Sequence, residues 1–227
     1  MIRSGHSISA ATVSPMSEAG LRSDAKRNRA RILAAARTVF AAHGIDAPMN
    51  EIARQAGVGI ATVFRRFPTR EDLVAAVFAD RMTVYAAAID VALQDPDPWH
   101  GFCDYVRTVC SMQAVDRGFT EVLTHSFPTA RGLEAERDEA FRLFTELIRR
   151  AKKAGGLRTD FVPEDLPMLL MANAGVVAAT AASAPETSDR LVAYLLQAFA
   201  VTAQGRLPTP PTPQRMYAAM IRAQHTR

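Results

Sequence analysis

The chain has 227 residues, 48% of them hydrophobic and 22% charged. That composition excludes wholesale disorder, and the length is enough to bury a core without disulfide staples. The net charge is +4, but the excess is one-sided: residues 1–75 carry 11 Lys and Arg against 6 Asp and Glu, while residues 76–227 carry 16 against 17. An anionic partner is therefore expected at the first third of the chain.

Two cysteines, Cys103 and Cys110, lie on one predicted helix. Their seven-residue separation puts the Cα atoms about 10 Å apart, and a disulfide needs less than about 7 Å. They read as free, packed thiols of a reducing, cytoplasmic compartment, with a redox sensor as the alternative reading. Residues 1–22 lack the apolar stretch of a signal peptide and read as a flexible arm. Residues 166–185 are uncharged over 20 residues, a membrane-span length. Small side chains dominate that run, so it reads as a buried, tightly packed helix, and no membrane partner is expected.

Helical periodicity dominates throughout, with no sustained two-residue alternation, so the expected fold class is all-α. The first helix covers 24–43, with Ile32, Leu33, Ala36, Val39 and Phe40 as its apolar stripe and Gly44 as its stop. Arg22, Lys26, Arg27, Arg29 and Arg31 crowd the start of that helix, where cations are unfavourable. A phosphate backbone would compensate. Short helices follow at 48–56, with Pro48 in the first turn, and at 60–66 behind Gly59. Pro68 ends the second of these, and Thr69 caps a long helix with Glu71 and Asp72 in its first turn. That helix runs over 70–94, and Asp95-Pro96-Asp97-Pro98 breaks it. Further helices are predicted at 98–115, 117–126, 131–154, 163–183 and 187–204. Pro208, Pro210, Pro211 and Pro213 make a stiff extended spacer. A last amphipathic turn or two carries Met216, Tyr217, Met220 and Ile221 on one stripe.

The informative stretch is 48–67: a helix, a turn containing Gly57, and a second helix only two turns long. Ile52 and Val63 can plug the space between the two helices, Ala53 lets them cross closely, and Val58 can pin the turn to the core. A helix of that length fits the major groove with its N-terminal residues at base edges, and this one carries Arg65 and Arg66.

With these residues in place the chain resembles the TetR family of bacterial transcriptional regulators. The resemblance is carried by Ile32 to Ala36, Phe40, Gly44, Ile52-Ala53, Ala56-Gly57-Val58, Thr62-Val63-Phe64, Phe67 and Thr69 to Leu73, in order and spacing. It covers about residues 24–80 and the helical layout after them. Four positions depart from the usual pattern. Phe64 stands in place of a Tyr and Met49 in place of a Thr, each change removing a phosphate-contacting hydroxyl. Arg70 replaces a Lys, and Gly59 a capping Ser. The resemblance implies a helix-turn-helix DNA-binding domain over 23–70 and a ligand-binding and dimerisation domain over 71–227. It implies that Asn50, Ile60, Ala61, Thr62 and Arg65 face bases or the groove floor, and that Thr62, Phe64, Arg66 and Arg70 sit against phosphates. Lys26 and Arg27 join them as basic residues of the first helix.

The resemblance also implies a homodimer through the helices at 163–183 and 187–204. Leu169, Leu170, Val176, Val177, Leu191, Leu195 and Phe199 make those helices apolar on more than one face, as a two-fold interface requires. It further implies a small-molecule pocket between the helix at 70–94 and those that follow. Tyr85, Trp99, Phe102, Met112, Phe119, His125, Met168, Met171 and Asn173 are its candidate lining, and their character points to a hydrophobic effector. The expected function is a ligand-released repressor on a near-palindromic operator. A transcriptional activator, a non-specific DNA-binding protein and an interaction protein without an effector are the alternatives. Enzyme chemistry is not expected: His6, His43, His100, His125 and His225 show no metal-ligand spacing, and no Gly-rich phosphate loop or nucleophile elbow occurs. Neither a cofactor nor a metal is expected. Glu134, Glu136, Asp138 and Glu139, among Arg131, Arg137 and Arg142, read as a solvent face laced with ion pairs.

Overall fold

The computed structural model describes residues 18–222 apart from 126, 128, 129 and 204. Ten helices make up the described residues: α1 (Glu18–His43), α2 (Met49–Ala56), α3 (Ile60–Arg66), α4 (Arg70–Gln94), α5 (Pro98–Val115), α6 (Arg117–Thr124), α7 (Arg131–Lys153), α8 (Asp165–Thr180), α9 (Thr187–Phe199) and α10 (Pro213–Arg222). They contain no strand; one isolated antiparallel bridge joins Leu157 to Ala200. No helix among them is long and apolar enough to cross a membrane.

The chain's punctuation explains most boundaries. Thr69 closes a capping box at the start of α4: its hydroxyl accepts from the Asp72 amide at 3.0 Å, and the Asp72 carboxylate accepts from the Thr69 amide at 3.0 Å. Asp97 caps α5 through the amides of Trp99 and His100, and Asp116 caps α6 through that of Phe119. Gly57 takes φ 62° after α2 and Gly44 φ 82° after α1, the left-handed region that a β-carbon disfavours.

Several boundaries differ from the sequence expectation. The first helix begins at Glu18, so residues 18–22, expected in the arm, are helical; residues 1–17 lie outside the described residues. Lys26 is therefore eight residues inside α1, and the macrodipole penalty argued for its basic cluster does not arise. Pro48 is the N-cap of α2 and not its first residue. The helices expected to reach 126, 183 and 204 stop at Thr124, Thr180 and Phe199, and α8 starts two residues later than expected, at Asp165.

One contiguous apolar core runs from Ile32 to Phe199. Phe40 of α1 stacks on Phe78 of α4 at 6.2 Å, and Phe78 meets Phe119 of α6 at 6.1 Å, joining the first three helices to the rest. Burying each such ring contributes roughly 1.5–3 kcal/mol. A second aromatic group gathers Trp99, Phe102, Phe144, Phe161 and Phe199 beneath α5, α7 and α9. Between α5, α8 and α9 the buried polar groups are paired. Asn173 donates to Gln113 Oε1 at 3.0 Å, Gln113 donates to the Leu170 carbonyl at 3.2 Å, and Ser188 donates to Asn173 Oδ1 at 2.8 Å.

Candidate nucleic-acid interface and ligand cavity

Helices α2 and α3 are held by their inner faces. Ile52 and Val63 are fully buried, and Phe67, four residues beyond Val63, continues that line. Ile60 lies three residues before Val63 and so turns partly inward, where it packs against the core. The opposite face of α3 has no such cover: Ala61, Phe64, Arg65 and Arg66 are exposed, Phe64 by 46%, and Thr62 is half-buried. On α2, Asn50 is exposed. The turn between them is tied to α1, because Arg31 Nη2 donates to the Gly57 carbonyl at 3.1 Å.

The cations of this region divide into two groups. Arg27 pairs with Asp24 and donates to Ser23 at 2.9 Å, Arg29 stands 5.7 Å over the Phe67 ring, Arg37 donates to the Val77 carbonyl, and Arg54 pairs with Glu51. Arg70 is half-buried. Its Nη1 donates to the carbonyls of Ile45 (3.0 Å) and Ala47 (2.5 Å), so the side chain fastens the α1–α2 loop to the start of α4. Arg65, Arg66 and Lys26 are exposed with no hydrogen bond or ion pair holding them among the described residues.

A cavity of about 240 Å³ opens in the larger, C-terminal part. Its floor is Tyr85 of α4, Leu123 of α6 and Leu166 and Leu170 of α8. Helix α7 adds Phe141 together with Glu134, Arg137 and Asp138. Glu136, Asp138 and Glu139 are exposed and Glu139 pairs with Arg142, as expected, while Glu134 and Arg137 turn partly inward. Arg137 is largely buried, with its side chain 16% exposed. Its Nη1 donates to the carbonyls of Val122 and His125 and lies 3.6 Å from Glu134 Oε1. Glu134 in turn accepts from the Phe127 amide at 2.6 Å. Burial pushes the Tyr85 phenol above its usual pKa, so it stays protonated. Glu164 adds a further acid, and α10 closes the remaining side with Pro213, Met216, Tyr217 and Met220.

Of the nine candidate lining residues only Tyr85 lies on this cavity. Trp99 and Phe102 stack on each other at 5.6 Å in the second aromatic group, and Phe119 is wholly buried against Phe78. Met112 is buried, and Asn173 belongs to the polar network with Gln113 and Ser188. His125 closes α6, its Nδ1 donating to the Glu121 carbonyl at 2.6 Å. Met168 is 50% exposed and Met171 half-buried on α8. Large apolar side chains gain most where burial is complete, so they went to the core and left the cavity to residues of mixed character. The residues that sequence reasoning missed had one available signal, the amphipathic stripe of Met216, Tyr217 and Met220.

Helices α8 and α9 each bury one face and show the other. Leu166, Leu169, Leu170 and Asn173 face inward on α8, as do Val192, Leu196 and Phe199 on α9. The outer side presents Met168, Ala172, Gly175 and Ala179 beside Ala193, Tyr194 and Ala198, with Tyr194 55% exposed, while Leu191 is half-buried and Leu195 packs against the core. Tyr194 is held by Arg190, which lies 5.1 Å from its ring and donates to its hydroxyl at 2.7 Å.

With this geometry established, comparison with known proteins is specific. Residues 32–77 match the family described as bacterial regulatory proteins, tetR family, and residues 97–199 match the transcriptional regulator SbtR-like C-terminal domain. A TetR transcription regulatory protein from Mycobacterium vanbaalenii is 32% identical, over 80% of this chain and 99% of its own, with a TM-score of 0.42. A tetR-family transcription regulator from Shewanella sp. PV-4 is 21% identical over 77% and 98%, with a TM-score of 0.55. The regulator FadR from Bacillus subtilis, solved in complex with stearoyl-CoA, is 16% identical over 78% and 99%, with a TM-score of 0.51. No curated protein matches. The helix-turn-helix of α2 and α3, the long α4 and the helical half that follows agree with both family models, and the chain belongs to the TetR family of bacterial transcriptional regulators.

Proposed function

We propose that the chain binds a near-palindromic operator as a homodimer and represses until a small apolar effector releases it. The observation that carries the DNA-binding half is α3 itself: a helix anchored by Val63 and Phe67, with Ala61, Phe64, Arg65 and Arg66 turned to solvent. A helix so mounted enters the major groove with its first turn at base edges. Asn50, Ala61, Thr62 and Arg65 would read bases, while Lys26, Phe64 and Arg66 would lie along the phosphates. The DNA-binding unit would span 23–70 and the regulatory unit 71–227.

The apolar outer sides of α8 and α9 support the homodimer, since a two-fold contact covers both with one self-complementary patch. Two recognition helices then meet two half-sites, and their spacing decides affinity. An effector releases DNA to the extent that it binds the wrongly spaced state more tightly than the DNA-competent one.

The cavity favours the chemistry of the effector. Tyr85, Phe141, Leu123 and Leu170 offer apolar walls, and Glu134, Asp138 and Glu164 outnumber Arg137. A neutral or cationic apolar molecule suits that lining, and a polyanion such as the coenzyme A portion of the ligand in the Bacillus subtilis regulator does not.

The test is fluorescence anisotropy on duplexes tiling the DNA beside the chain's own gene, against a scrambled duplex in about 0.15 M salt. A preference of about 10³-fold or more for one near-palindromic tile is expected. Equal, salt-sensitive binding to every tile would refute sequence-specific regulation.

A further inference from the structure

The segment after α9 lies beyond residue 199, where the C-terminal family model stops, and it does three things in succession. First it is pinned. The Arg158 side chain, 9% exposed, donates to the Gly205 carbonyl at 2.7 Å and to Asp160 at 3.0 Å, and Asp160 Oδ2 accepts from the Leu207 amide at 3.2 Å. Next it is stiff: residues 208–212 include Pro208, Pro210 and Pro211, a run that extends at about 3.1 Å per residue and bends little. Last it is helical again, and α10 lands on the cavity. Met220 is 7% exposed, Met216 and Tyr217 stand beside it on the lining, and the other side of the helix is exposed.

From this anchored post, stiff strap and amphipathic cap we propose that α10 is a tethered lid on the ligand cavity, which lifts to admit an apolar ligand and closes to hold it. The inference rests on the cavity being a ligand site. The lid's sulfur and phenol side chains suit the task, because unbranched Met adapts its shape to whatever lies beneath it. The strap limits the motion: with Leu207 fixed and the prolines rigid, α10 swings about one point, and it returns to the same opening. The lid thus supplies one wall of the cavity at equilibrium and sets how fast a ligand leaves.

The test uses the full chain and the neutral dye N-phenyl-1-naphthylamine, whose fluorescence rises on entering an apolar site. Its release is followed by stopped flow for three chains: the unaltered protein, Met220→Asp, and the double variant Pro210→Gly/Pro211→Gly. Circular dichroism checks that each is folded. Met220→Asp puts a charge among the cavity's acids and should speed release by about tenfold or more, a buried methionine being worth a factor of that order. The double variant leaves the lid's apolar face intact and loosens only the strap, so a smaller acceleration is expected there. Hydrogen exchange of the α10 amides should slow when the dye saturates the unaltered protein. Dye release at one rate from all three chains, with exchange in α10 indifferent to the dye, overturns the lid and leaves the cavity standing. Absence of any fluorescence rise with the unaltered protein overturns the cavity as a ligand site and the lid with it.

Discussion

Replacing Glu121 tests how the two parts of the molecule are joined. Glu121 lies on α6, 8% exposed, and its Oε2 accepts from the Ile45 amide at 2.7 Å, in the turn that follows α1. The Ile45 carbonyl accepts from Arg70 at 3.0 Å, so the residue is held through both its amide and its carbonyl. Glu121→Leu keeps the bulk and removes the acceptor. The Ile45 amide is then buried without a partner, which costs about 1–3 kcal/mol. For a chain of this size each kcal/mol shifts Tm by about 2–4 °C, so a loss of about 2–12 °C is expected. Glu121→Gln keeps an acceptor oxygen for the Ile45 amide and gives up the charge assistance of that bond, so it should cost less than the Leu variant. Calorimetric melting of the three chains gives the ranking, and hydrogen exchange at the Ile45 amide should lose protection in the Leu variant alone. A Gln variant that melts as low as the Leu variant, or a Leu variant within about 1 °C of the unaltered protein, would refute the argument.

Four further outcomes follow from the same geometry. On the preferred operator, Arg65→Ala should weaken binding by about 1–3 kcal/mol and relax base choice at one position, whereas Arg66→Ala should weaken all duplexes alike. With Lys26 and Arg66 as the phosphate-facing cations of each protomer, the slope of log K against log salt should be about −4 for a dimer, at about −0.9 per contact; a slope steeper than about −10 would mean that cations engaged within the fold also reach the DNA. The hydrogen bond to Asp95, with Asp104 nearby, raises the His100 pKa above the ordinary histidine value of about 6.5, so its stabilisation is complete below about pH 6.5 and is lost as pH rises through the raised value. The gap in Tm between the unaltered protein and His100→Ala should therefore narrow from about pH 5.5 to about pH 8.5, and a gap that widens would contradict it. Burial pushes the Cys103 thiol up to about 11 and that of Cys110 to about 12. Both should resist Ellman's reagent at about pH 8 in the folded protein and react in urea; prompt labelling of the native chain would show that one is accessible as a thiolate.

The helices were legible because this chain punctuates them. Thr69 and Asp95-Pro96 bound α4 at its observed ends, and Gly57 with Gly59 bound the turn of the helix-turn-helix. Where punctuation was weak or misleading, the reading slipped. The first helix was expected from residue 24, yet α1 begins at Glu18. The small residues after Thr180 carry no break before Pro185, so nothing in the sequence marked the last turn of α8. The recognition helix was legible for a different reason: its anchors and its exposed face all fall within 20 consecutive residues, so periodicity alone separates Val63 from Arg65.

The cavity had no such local signature. Its walls come from Tyr85, Leu123, Arg137, Leu170 and Met220, separated by most of the chain. Helical periodicity says which residues share a face and is silent on what covers that face. Charge misled in the same way at both ends of the molecule. Arg137 read as a solvated residue, but the carbonyls of Val122 and His125 let a guanidinium lie buried beside the cavity. Arg27, Arg31 and Arg70 read as cations for DNA, but Asp24, the Gly57 carbonyl and the Ile45 carbonyl engage them first. A guanidinium carries five donors, and in a chain whose 27 basic residues include 24 Arg, many of them serve to close turns and fasten helix ends. Part of the basic excess of the first third is thus engaged within the fold, at turns and helix ends.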